Sequence, residues 1–296
     1  MTSFSRKNLF LLFLLTVCWG VSWPVMKVGV RNFPPLTFRV LGMAAGLPAV
    51  WLAARMQKVS LALPRDQIRT VIRLAIPNMI LWNVFIILGV KLLSSGRAAI
   101  LGYTMPVWAL LCGLIFFGER VTRMAWIGVG CALAGALLLL SNEFAMLAGK
   151  PLGSLMALIA AASWGYGTVL MKRTHSDLPN VALNFWMLAV AIPVFVLLAA
   201  IFESGEWRMP DNMEWGAILF NGWIVFGFAY TVWFMLARTL PPVASSLSVM
   251  MSPVLGVFSG AWLLHEQPHW QDYGAMLLIL AAMSTVLLKP APTGRK

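Results

Sequence analysis

Residues 180–202 contain no charged side chain, and nine other stretches of the chain come close to the same condition. Their approximate limits are 8–28, 35–54, 70–91, 96–117, 123–141, 152–172, 213–236, 241–263 and 271–288. A helix that crosses the hydrocarbon core of a bilayer needs about 20 predominantly apolar residues, so ten such helices use about 200. The chain has 296 residues, and what remains serves nine short loops and two tails, not a soluble domain. Composition agrees: 60% of the residues are hydrophobic and 11% charged, against about 25% charged in ordinary soluble domains. The sequence therefore predicts an all-α integral membrane protein with ten transmembrane helices. Prolines 24, 48, 77, 106, 193 and 253 fall inside the runs. A membrane bundle tolerates them because neighbouring groups satisfy the carbonyls that proline frees.

The net charge of +12 invites a nucleic-acid reading, but the basic residues sit mostly in short loops between apolar runs. There they act through the positive-inside rule, and no Lys/Arg cluster on a soluble module could track phosphates. Of the 22 lysines and arginines, 15 fall on the side of the N-terminus and 7 on the other, which predicts that both termini are cytoplasmic. Arg6 and Lys7 followed by Leu9–Leu15 imitate a signal peptide, with Leu15-Thr16-Val17-Cys18 as a cleavage box. The apolar run continues through Trp19-Gly20-Val21-Ser22-Trp23, so an uncleaved first span is expected. Cys18, Cys112 and Cys131 all lie in apolar runs and read as small buried residues rather than a disulfide framework.

The chain also resembles itself. Trp19-Gly20 precedes Met26-Lys27 with the spacing by which Trp164-Gly165 precedes Met171-Lys172, and Pro106 stands to Glu119 as Pro253 stands to Glu266. Lys91 matches Arg238, and the small pair Ala109/Gly113 matches Gly256/Gly260. All these matches are offset by about 146 positions, which divides the chain into residues 1–146 and 147–296 with five spans each. Because five is odd, the second half enters the membrane from the opposite side, and the two five-helix repeats are inverted. Inverted repeats are a recurring architecture of secondary transporters, in which the substrate site lies near the midplane where the repeats meet.

Trp-Gly in spans one and six, Pro34-Pro35-Leu36-Thr37-Phe38-Arg39 entering span two, and Gly118-Glu119-Arg120-Val121-Thr122 closing span four resemble the EamA-type drug/metabolite transporters. Among these the pattern resembles the YddG-like exporters of aromatic and other amino acids. The resemblance covers about residues 8–288. It implies a ten-helix fold, an inner-membrane location and export of small metabolites. It also places the family's loop-proximal glutamates on Glu119 and Glu266 and its span-two arginine on Arg39. The repeat counterpart of Arg39 is Asn184, and His265-Glu266 stands where the first half has Gly118-Glu119.

A charge at membrane depth is a functional candidate, and no Asp or Glu lies mid-span. Glu119 and Glu266 end spans four and nine and could serve as a gate, as a proton site or as hydrogen-bonding anchors of helix ends. Arg39 could hold a substrate carboxylate or bond the carbonyls of a neighbouring helix. Lys27 and Lys172 are expected to snorkel to the interface. Trp19, Trp23 and Lys27 share one helical face by their spacing of four, as do Trp164, Thr168 and Lys172. Asn78, Trp82 and Phe85 fall on one face of span three, Tyr230 and Trp233 on one face of span eight, and Ser245, Ser248 and Ser252 on one face of span nine. Tyr103 precedes the expected kink at Pro106. A cavity built from Trp19, Trp23, Asn78, Trp82, Tyr103, Trp164, Tyr230 and Ser248 would suit small amphipathic substrates. The same tryptophans could instead form interfacial belts or pack helices. Gly42/Gly46 and the two pairs above are expected to let helices approach closely.

Chemistry of other kinds is missing. The sequence has no phosphate-binding Gly-x-x-x-x-Gly-Lys-Ser/Thr loop and no nucleophile elbow. His175, His265 and His269 make no metal set. No catalytic residues, metal or cofactor are expected, and the partners are a small-molecule substrate and the lipid bilayer. Three functions remain open: a carrier exporting amino acids and related metabolites, a carrier of lipophilic cations or drugs, and a membrane scaffold subunit.

Overall fold

A computed structural model of the chain describes residues 6–119, 122–145, 151–174, 176–233 and 242–287, without the side chains of 6–9, 141–145, 242–250 and 286–287. Among these residues every regular element is helical. They form ten rods: α1 (Arg6–Val30), α2 (Pro35–Met56), α3 (Arg65–Leu92), α4 (Ser95–Phe117), α5 (Arg123–Ala145), α6 (Pro151–Arg173), α7 (Asn180–Phe202), α8 (Asn212–Trp233), α9 (Pro242–Leu264) and α10 (Trp270–Leu287). Eight of them, α1 to α8, contain stretches long and apolar enough to cross a membrane, and the segment Met251–Leu264 of α9 is a shorter apolar helix. Large apolar side chains such as Phe13, Phe116, Leu197 and Trp262 point outward. In water such a surface would associate; against acyl chains it is at rest.

Local sequence sets the ends. Pro35 occupies the first turn of α2, where its missing N–H costs nothing. Ser94 accepts the Arg97 N–H at the start of α4. Asp211 and Glu214 build a reciprocal capping box on α8. Gly118 closes α4 in the left-handed region at φ 65°, and His265 holds the same conformation at φ 54° where α9 ends. The His-for-Gly departure between the repeats thus sits on a position that only glycine adopts without strain.

Two rods are irregular at matching places. In α3 residues Ile76–Leu81 form a widened π turn, and in α8 so do Phe220–Ala229. Pro77 lies in the first of these, and Asn78 donates its amide to the Leu74 carbonyl there, at 2.9 Å. In α4 the helix breaks at Tyr103 and resumes at Met105, because Pro106 cannot donate to the preceding turn.

Helices pack in a pattern that survives exchanging each of α1–α5 with the helix five places on. α1 packs on α9 and α6 on α4; α2 packs on α8 and α7 on α3; α5 pairs with α10, and α2 with α7. Small residues permit the closest approaches. A Cβ on Gly222 would lie 2.7 Å from the Ala45 Cβ and 2.9 Å from the Gly42 carbonyl oxygen, so α2 and α8 meet almost backbone to backbone. Gly260 lets α9 approach α4, since a Cβ there would strike the Ser95 hydroxyl, and it also leaves room for the Glu266 carboxylate at 2.6 Å. Gly113 departs from the helix-packing role expected of it: a Cβ there would strike the carboxylate of Glu119, which folds back on the same helix, at 2.6 Å.

Candidate functional site

The end of the bundle where α1 finishes is called distal here, and the end where α1 begins proximal. Between them, where the two hydrophobic clusters of the core meet, lies a cavity with contributions from α1, α2, α3, α4, α6 and α8. The space open to the centre of a water molecule is about 120 Å³, and the whole unfilled volume, mouth included, about 750 Å³. Its wall holds Trp19, Trp23, Trp82, Tyr103, Trp164 and Tyr230 from the sequence reading, together with Arg39.

The rings of the wall meet in three groups. Trp164 meets Trp82 at 5.1 Å and Tyr230 at 5.8 Å, Trp19 meets Trp233 at 5.3 Å, and Trp23 meets Tyr103 at 5.9 Å between ring centroids. Such pairs hold one another in orientation and present π faces to whatever enters. The polar groups in the wall are few: Ser22, Asn83, Arg39 and the two tyrosine hydroxyls. Two of these are already engaged with their own helices, Ser22 with the Trp19 carbonyl at 2.7 Å and Asn83 with the Met79 carbonyl at 2.9 Å.

Asn78 is not in the wall. It is buried on another side of α3, bonded to Leu74 and packed against Gly167 of α6. The π turn that contains Pro77 changes the angular position of the residues after it, and Asn83, not Asn78, lies in the wall beside Trp82. Ser248 and Ser245 belong to the part of α9 whose side chains lie outside the described residues. Lys27 does not snorkel: its ammonium donates to the carbonyls of Val90, Lys91 and Leu93 at 3.0, 3.0 and 2.6 Å, closing the distal end of α3. Met26, Ile86, Met105, Val225 and Phe226 complete the wall and were not singled out. Helical spacing from residues that were could have found three of them, Met26 one turn after Trp23, Ile86 one turn after Trp82 and Phe226 one turn before Tyr230.

Among the described residues, Arg39 is the charged residue of the wall. Its side chain comes from the first turns of α2 and is 3% exposed. One guanidinium nitrogen reaches Asn221 Oδ1 at 3.4 Å, another reaches the thioether sulfur of Met26 at 2.9 Å, and Nε has no partner. The guanidinium also lies over the Phe226 ring at 5.8 Å. Among the described residues, no Asp or Glu lines the cavity. The repeat counterpart, Asn184, turns instead to the Phe226 carbonyl at 3.4 Å.

The acidic residues gather at the ends of the bundle. At the distal end Glu203 accepts the main-chain N–H groups of Leu36 and Thr37, at 2.8 and 2.7 Å, and the Thr37 hydroxyl at 2.8 Å. Glu266 accepts the Ser95 N–H and hydroxyl, both at 2.8 Å, and the Gly96 N–H at 3.4 Å. Each carboxylate thus caps a helix of the first half from an element of the second, where the helix dipole favours it. Arg97 pairs with Asp272 at 2.6 Å in a largely buried contact. Arg208 pairs with Glu214, which holds its guanidinium above the usual arginine range. At the proximal end Glu119 pairs with Arg173 at 2.7 Å, with 49% and 44% of the two side chains exposed.

Comparison with known proteins gives this arrangement a context. The family model for the EamA-like transporter family matches twice, over residues 6–141 and 151–288. An uncharacterized transporter of Bacillus subtilis, YoaV, is 29% identical over 86% of this chain and 87% of its own. The uncharacterized inner membrane transporter YedA of Escherichia coli is 28% identical over 94% of this chain and 89% of its own. A probable amino-acid metabolite efflux pump of Escherichia coli is 25% identical over 93% of both. A crystal structure of another protein matches with a TM-score of 0.68 at 21% identity, over 96% of this chain and 98% of that one, which bears on the fold alone. With a helical bundle apolar on its outside, a cavity at its centre and a family match over both halves, the chain belongs to the EamA-like transporter family and is a multi-pass membrane transporter.

Proposed function

We propose that the chain exports small metabolites, amino acids foremost, across the inner membrane by alternating access through the cavity between its halves. In this reading all ten rods span the bilayer, residues 1–146 and 147–296 are inverted five-helix repeats, and both termini are cytoplasmic. The observation that carries it is the cavity, walled by helices of both halves and lined with rings and few polar groups. The exchange symmetry of the helix packing and the double family match support the repeat. The similarity to a probable amino-acid metabolite efflux pump supports the substrate class.

The two ends give the cycle a direction. Glu203 and Glu266 act as distal latches, and Glu119 with Arg173 as a proximal one. The distal latches grip main-chain N–H groups. The residue that corresponds to Ser95 in the second half is Pro242, which has no N–H, so Glu119 cannot grip α9 as Glu266 grips α4. An ion pair as exposed as Glu119–Arg173 contributes about 0–1 kcal/mol. In this reading the described contacts hold the distal end more firmly than the proximal one, and the substrate loads from the proximal, cytoplasmic side, as an exporter should.

The test is counterflow in proteoliposomes loaded with unlabelled amino acids and supplied with one labelled amino acid outside, without an ion gradient. Transient accumulation of label is expected. Its absence across a broad metabolite panel, with folded protein and with imposed proton gradients, would falsify the carrier reading.

A further inference from the structure

We infer that Arg39 is the carboxylate anchor of the cavity, so that the transporter takes small organic acids and α-amino acids and rejects organic cations that lack a carboxylate. This rests on the cavity being the transport site and names the chemistry it selects.

The guanidinium is nine-tenths and more buried, yet its surroundings do not neutralise it. A carboxylate, the ordinary partner of a buried arginine, is missing from the described wall. What it has instead is a long contact to the Asn221 amide oxygen, a thioether, which is a weak acceptor, and nothing at Nε. A guanidinium presents five N–H donors in a planar fork that fits a carboxylate with two parallel bonds. Here Nε and the nitrogen resting on Met26 form one side of that fork. A carboxylate arriving there takes over from the sulfur and engages the unbonded Nε. The cavity thus carries one fixed positive charge with no described acid to balance it, in a wall of low polarity where the charge acts strongly. An entering anion gains; an entering cation is repelled.

Position fits this role. Arg39 lies four residues from the distal start of α2, whereas Trp233 is the last described residue of α8 at the proximal side. An acid that enters from the proximal side, as the proposed export requires, meets the guanidinium at the far end of the cavity, with its side chain among the rings. The ammonium of an amino acid then faces the π surfaces of Trp19, Trp82 or Trp164, which attract cations. The guanidinium is also two residues from Thr37, which Glu203 holds. Charge compensation at Arg39 therefore falls on the same helical turn as the distal latch.

The experiment uses the full chain in nanodiscs, with intrinsic tryptophan fluorescence as the readout, since five tryptophans line the cavity. The probes are two matched pairs of one skeleton each, isovalerate with isobutylamine and 3-phenylpropionate with phenethylamine, plus phenylalanine. The carboxylate of each pair, and phenylalanine, are expected to bind about tenfold or more tighter than the amine, the difference made by hydrogen bonds to a charged group. Arg39→Met should erase that preference, and Arg39→Lys, which keeps the charge without the fork, should keep part of it. The wild-type comparison stands even if Arg39→Met does not fold. Equal binding within the pairs, tighter binding of the amines, or no binding of any carboxylate overturns the inference. Counterflow separates it from the carrier reading: transport of amines in preference to carboxylates sinks the anchor and keeps the carrier, and carboxylate binding without counterflow does the reverse.

Discussion

Trp164 touches a ring on either side, Trp82 and Tyr230, and a side chain so placed can serve the wall of a cavity or the packing behind it. Replacing it with alanine distinguishes the two. Trp164→Ala is expected to lower counterflow by about tenfold or more while folded yield falls less; equal losses would assign the residue to packing. Its recurrence at Trp19 was legible from the repeat. Arg39 was legible as a candidate, but its poverty of partners was not, because that depends on which neighbouring helices bring Asn221, Met26 and Phe226. His265 tests a different kind of reading. It holds φ 54°, a conformation that costs a β-carbon-bearing residue about 1–2 kcal/mol, while glycine returns about 0.4–1 kcal/mol of that through the unfolded chain. His265→Gly should raise stability by about 0.5–1 kcal/mol, and Gly118→Ala should lower it by about 1 kcal/mol. Thermal melting in detergent checks both.

At the scale of the helix, the decisive features are the π turns in α3 and α8. The apolar runs and their loops were readable because twenty uncharged residues have few other fates. The π turns were not, because a run that contains one has the same composition as a regular helix. Pro77 was the only local sign, and it was open to reading as a kink. The error over Asn78 follows directly: with an additional residue in the turn, the spacing of four that joined Asn78 to Trp82 no longer describes one face. Pro77→Ala should let the segment relax toward a regular helix and rotate Trp82 and Asn83 away from the cavity, lowering counterflow without unfolding the protein, with circular dichroism as the control. In α8 the equivalent segment leans on Gly222. Gly222→Ala places a Cβ 2.7 Å from Ala45, and overpacking of this kind costs about 1–3 kcal/mol, visible as a lower melting temperature.

For the whole molecule, the repeat was the most informative feature of the sequence, and the exchangeable helix contacts accord with it. Less legible was how unlike the two ends are, since that lies in the departures from the repeat: Pro242 opposite Ser95, Ala244 opposite Arg97, Ala125 opposite Asp272. With the native cysteines replaced by alanine, a Met26→Cys probe in the cavity wall should react slowly with a membrane-impermeant thiol reagent applied from outside the cell. Glu203→Gln together with Glu266→Gln should speed that reaction by about tenfold, since each loses charge-assisted bonds to a helix start. Unchanged labelling would show that the distal latches do not hold the end closed. Because these latches close mostly on peptide N–H groups, the main-chain bonds themselves ask nothing of the receiving side chains except that none be proline. Thr37 can change identity and keep its main-chain bond, whereas Leu36 is held by its burial and Gly96 by Val257, whose Cα a Cβ there would meet at 3.2 Å. Glu203 and Glu266 have no such freedom, since each must keep its carboxylate, and a homologue could weaken one latch by a single proline at the position of Thr37.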